Sequence, residues 1–123
     1  MRYKRIIDPI YDAEVHCIAG CNANEREKKL KKIYKDLEDK KESKPSMAQC
    51  FGLLHSDGYK NYVVWFETFN PKKAKTLYII VREASHLVDK IFEDKGVGND
   101  TETRAYYLKY WVRELWRFCG NGK

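Results

Sequence analysis

Val81-Arg82-Glu83-Ala84-Ser85-His86 lies inside the longest helical pattern of the chain and sets Arg, Glu and His at positions i, i+1 and i+4. The surrounding residues predict a helix from about Pro71 to Asp94. Asn70-Pro71 supplies a cap and a first-turn proline, and Lys95-Gly96 is a C-terminal stop. At about 100° per residue, Leu77, Ile80, Ala84, Leu87, Val88 and Ile91 gather on one side. Arg82, Glu83 and His86 gather on the opposite side, with Ile79 between them, and that polar cluster is expected to face water.

Upstream, Met47–Ser56 and Asn61–Phe66 read as two strands joined by Asp57-Gly58, a hairpin signal because both residues tolerate positive φ. Val63-Val64-Trp65-Phe66 suggests burial on both faces. Farther back, Ile6–Gly20 is rich in β-formers, and its second half reads as a strand. Asn22 or Asn24 caps the next helix, on which Leu30, Ile33, Tyr34 and Leu37 form one narrow apolar stripe; Lys44-Pro45-Ser46 ends it. Downstream, a last helix runs from Asp100 or Thr101 to about Phe118, with apolar and aromatic groups nearly all round it. The order strand, helix, hairpin, helix, helix is that of a single α+β domain over residues 1–123. It predicts a small three-stranded sheet, one N-terminal helix and two packed C-terminal helices.

Composition narrows the class. With 123 residues, 43% hydrophobic, the chain builds one core. No stretch approaches the roughly 20 apolar residues of a membrane helix, and Met1-Arg2-Tyr3-Lys4-Arg5 does not open a signal peptide. An intracellular, cytoplasmic protein with reduced Cys17, Cys21, Cys50 and Cys119 is expected. Paired Cys-x-x-Cys spacing is missing, and a strand over 13–19 turns His16 and Cys17 to opposite faces, so the thiols read as small buried hydrophobes. The net charge of +6 is spread out; the densest run, Glu25 to Lys44, mixes nine Lys/Arg with six Asp/Glu, the pattern of a solvated helix face.

Two histidines four residues apart on a helix bind zinc, and the Glu beside the first activates water. Here Arg82 stands at the first of those positions, and a guanidinium has no lone pair to give a metal. Beyond the helix come Val97-Gly98-Asn99-Asp100 and then Glu102-Thr103-Arg104-Ala105-Tyr106-Tyr107-Leu108. This layout resembles the small zincin-like proteins of the gluzincin type found in phages and prophages. In these a three-stranded sheet backs a His-Glu-x-x-His helix, and a second helix opening with Glu-x-x-Ala-Tyr-Leu brings the third ligand. The resemblance implies His86 and Glu102 as metal ligands and Glu83 as general base. Arg82 departs from it, removing one ligand and adding a fixed positive charge. An Arg82–Glu102 ion pair is the expected replacement for the metal, and either His16 or His55 would have to supply a missing ligand.

Three function classes follow. The first is a catalytically inactive zincin-like protein that binds another protein, as a phage or prophage accessory factor by analogy, with Arg82, Tyr106, Tyr110, Trp111 and Trp116 as contact candidates. No cofactor is expected in it. The second is an active zinc metallopeptidase with an atypical ligand set, in which Glu83 is catalytic. The third is a nucleic-acid binder using Lys28, Lys29, Lys31, Lys32 and Lys35, ranked below the first because few aromatics interleave with that run. A homodimer through the aromatic last helix is compatible with the sequence; a membrane partner is not expected.

Overall fold

Two antiparallel ribbons are joined side by side through a central parallel pair. The computed structural model describes residues 1–33, 48–54, 60–68, 74–98 and 100–121. Strands β1 (Arg2–Ile7), β2 (Glu14–Ala19), β3 (Ala48–Leu54) and β4 (Lys60–Phe66) lie in the order β1-β2-β4-β3. The β1/β2 and β3/β4 pairs are antiparallel, whereas β2 and β4 run parallel with Cys17 opposite Val64. Helices α1 (Ala23–Ile33), α2 (Ala74–Lys95) and α3 (Thr101–Trp116) complete the fold, and a wide turn, Arg117–Asn121, follows α3.

The protein is thus α+β with a four-stranded mixed sheet, one strand more than the sequence suggested. The extra strand is β1. Its Arg2, Lys4, Arg5 and Ile7 are exposed and only Ile6 is buried, so it lacks the alternation that marks a half-buried strand. A charged edge of this kind discourages pairing with other chains. The β1–β2 connection is fixed by Asp8. One carboxylate oxygen accepts from the backbone N–H groups of Ile10 and Tyr11 at 2.8 and 2.7 Å. The other accepts from Ala13 N–H and the Tyr107 hydroxyl, each at 2.9 Å.

Alternation in the two central strands divides the core. Val15, Cys17 and Ala19 of β2, with Tyr62, Val64 and Phe66 of β4, pack against α2 and α3. Ile18, Val63 and Trp65 face the other way, onto Leu30 of α1 and Phe51. The burial of Val63 to Phe66 on both faces is as the sequence suggested. On the α1 side, Arg26 is fully buried inside the charged run. Its guanidinium lies 4.5 Å from the Trp65 ring and 5.1 Å from that of Phe51, and bonds to Gln49 at 2.9 Å.

Local rules set the helix ends. Asn22 Oδ1 accepts from Glu25 N–H, and Glu25 Oε1 accepts from Asn22 N–H, a reciprocal capping box. Gly96, at φ 69°, closes α2 with Val97 N–H bonded to Phe92 O at 2.9 Å. Asp100 then caps α3 by accepting from Glu102 N–H. The expected Asn70-Pro71 start, the Asp57-Gly58 turn, the Lys44-Pro45-Ser46 stop, Tyr34 and Leu37 lie outside the described residues. Among those described, no helix is long and apolar enough to cross a membrane.

Candidate functional site on the paired helices

The polar residues of α2 do not share one environment. Arg82 and His86 are exposed, but Glu83 is only 3% exposed. It sits three residues after Ile80 and four before Leu87, at the margin of the apolar stripe. Ile80, Leu87 and Ile91 are fully buried and contribute about 1.5–3 kcal/mol each. Together they outweigh the roughly 1–3 kcal/mol cost of drying one carboxyl that has no hydrogen-bond partner among the described residues. Glu83 is therefore carried inward, correcting the expectation that the whole cluster faces water. Burial pushes its carboxyl above the usual range, opposed by the nearby charges of His86 and Arg82.

The second correction concerns the link between helices. No ion pair joins Arg82 to Glu102 among the described residues. Arg104 makes the connection instead: Nη2 reaches Asp89 Oδ1 at 2.9 Å and Ser85 Oγ at 2.8 Å, and Nε reaches Asp89 at 3.2 Å. The start of α3 thus lies on the Ser85–Asp89 side of α2. Glu83, two residues before Ser85, is about 200° round the axis from that side, and Glu102 is about 200° round α3 from Arg104. The two carboxyl groups diverge. With Glu102 turned about 200° from the side of α3 that meets α2 and a guanidinium at the first position, Arg82, His86 and Glu102 do not converge as a zinc donor set.

His16 does not repair it. It is fully buried on the α1 face of the sheet, opposite α2, because β2 turns Cys17 toward α2 and α3 and His16 away. Its Nδ1 shares a hydrogen bond with the Tyr3 hydroxyl at 2.7 Å, and its Nε2 lies 3.2 Å from Glu14 Oε2. Cys17 and Cys21 likewise belong to opposite sides of the sheet. Among the described residues no three His, Cys, Asp or Glu side chains gather in a metal-holding group. His55 and Lys35 lie outside those residues.

Of the aromatic contact candidates, Tyr106 is 67% exposed, Tyr110 and Trp116 are half-buried, and Trp111 is fully buried. Trp111 is a core residue and not a surface anchor. Its ring packs edge-on to Tyr107 and Tyr110 at 6.3 and 5.3 Å.

The sequence reading missed a groove of about 680 Å³ between α2 and α3, lined by Leu77, Ala105, Leu108, Val112 and Trp116 with Lys109 and Arg113. Leu77 was assigned to the core stripe but is 46% exposed at the start of α2. The spacing of 105, 108, 112 and 116 was a legible signal of one continuous helix face. Tyr78, Val81 and Tyr106 add further exposed apolar surface on the same two helices. On α1, Lys28 and Lys32 are exposed, and the Lys29 ammonium lies 4.5 Å from the Tyr3 ring.

Comparison with protein-family models, curated proteins and solved structures finds no match for this chain.

Proposed function

We propose that this chain is a zincin-like protein without catalytic function that acts by binding another protein. The apolar groove between α2 and α3 carries the reading, because a run of solvent-facing apolar side chains on a small domain is the usual mark of an interaction surface. The zincin-like part rests on element order. A strand–helix–hairpin segment precedes two helices, and the first of these packs on the sheet and carries Arg82, Glu83 and His86. The non-catalytic part rests on Arg82, which offers a metal only charge repulsion, and on Glu102 lying about 200° round α3 from Arg104, the residue that meets α2. An accessory role in phage–host interplay is the corresponding biological proposal, by resemblance alone.

Metal content tests it, measured by inductively coupled plasma mass spectrometry on protein purified without chelator, beside Arg82→His. The wild type is expected to hold far less than one zinc per chain. The variant, with two imidazoles four residues apart on one face, is expected to gain zinc. Stoichiometric zinc in the wild type, with peptide hydrolysis lost in Glu83→Gln, would overturn the non-catalytic reading. Zinc in neither protein would remove the zincin-like part.

A further inference from the structure

We propose that the α2–α3 groove receives an amphipathic helix of a partner protein, with carboxylates flanking its apolar stripe. This rests on the protein-binding reading above and names the partner's chemistry. Two helices side by side leave a shallow furrow on the side away from the sheet, a shape that another helix fills with residues at i, i+3, i+4 and i+7. The α3 wall from Ala105 to Trp116 extends about 16 Å, enough for roughly three turns of such a helix. Ala105, with only a methyl side chain, lets a backbone approach closely.

Charge decides the sign of the flanks. Among the described residues, the charged ones lining the groove are Lys109 and Arg113, both exposed and one turn apart along the same edge. Of the acidic residues of α3, Glu114 faces Arg117 at 3.8 Å, and Glu102 lies at the first turn, outside the lining. The rim is therefore positive. A second copy of the chain docked by two-fold symmetry would set its own Lys109 and Arg113 against this rim, since such an interface uses the same patch twice. Like charges there disfavour self-pairing and favour an acidic partner.

The test uses the full chain and two synthetic helical peptides of about five turns without tryptophan. They share one leucine stripe and differ in glutamate or lysine flanks. Trp65 and Trp111 are 1% and 0% exposed, so a blue shift in tryptophan emission on binding reports the half-buried Trp116. The glutamate peptide is expected to shift the emission and bind about three- to tenfold more tightly than its lysine twin, with the difference shrinking in high salt. The double variant Lys109→Glu/Arg113→Glu is expected to reverse the preference. Equal binding of both peptides, or binding of neither, would overturn the proposal. So would a concentration-dependent dimer in sedimentation whose formation itself shifts Trp116. The metal comparison is independent: zinc in the wild type would sink the non-catalytic reading and leave the peptide result standing.

Discussion

Glu83 is a carboxyl held above its ordinary value by burial, with His86 and Arg82 offsetting part of that cost. Between the ordinary and the raised value, the folded chain keeps a proton that the unfolded chain has released. Stability therefore declines as pH rises through that window and is level above it. Glu83→Gln removes the charge at nearly constant shape, so the variant should be more stable than the wild type at neutral pH by roughly 1 kcal/mol. The advantage should fade in acid, where the wild-type carboxyl is protonated in both states. Urea denaturation at neutral and acid pH checks this, and destabilisation at both would mean that the carboxylate has a partner. Asp8 is the opposite case, a buried carboxylate with four donors. Asp8→Ala strands three backbone N–H groups and the Tyr107 hydroxyl, and should cost about 3 kcal/mol in the same assay. Nothing in the pattern around Asp8 signalled this, because its partners include Tyr107 at the far end of the chain.

At the scale of elements, two arginines fasten helices, and neither is Arg82. Arg26 holds α1 to the sheet by stacking on Trp65 and Phe51 while bonding Gln49 and Glu27. Lysine keeps the charge but loses the planar stack and the fork of donors, so Arg26→Lys should cost about 1–2 kcal/mol. Arg82→Ala, at an exposed position with no ion pair among the described residues, should move stability by less than about 0.5 kcal/mol. A larger loss from Arg82→Ala would reinstate it as a helix link. The helix ends were legible in sequence to within a residue or two, as Asn22 or Asn24, Gly96, and Asp100 or Thr101, because caps are local chemistry. The rotation of α3 against α2 was not. It depends on which faces meet, and a motif spaced along one helix cannot say whether Glu102 or Arg104 turns inward. In the same way β1 was hidden by its charges, whereas β4 showed itself through an apolar run that had to be covered on both sides.

Across the whole molecule the sheet separates two apolar clusters, and the cysteines sample both. Cys17 and Cys119 are buried in the larger cluster beneath α2 and α3, and Cys21 in the smaller one beneath α1. Burial raises all three thiols, that of Cys119 to about 12, so the reactive thiolate is scarce in the folded chain even before access is considered. Half-buried Cys50 should react first with a thiol reagent at mildly alkaline pH. Cys17 and Cys119 should be slowed at least about a thousandfold relative to the unfolded chain, as expected where exposure requires global unfolding. Cys21 decides whether the two clusters form one cooperative unit. Trp65 ties them, since its indole N–H donates to Cys21 O at 3.0 Å while its strand also supplies Val64 and Phe66 to the larger cluster. Cys21 should therefore be protected to the same degree as Cys17, and both should lose protection along the same urea transition. Labelling of Cys21 well ahead of Cys17 would show that the α1 side opens by itself, and would confine the cooperative core to the sheet and the two C-terminal helices.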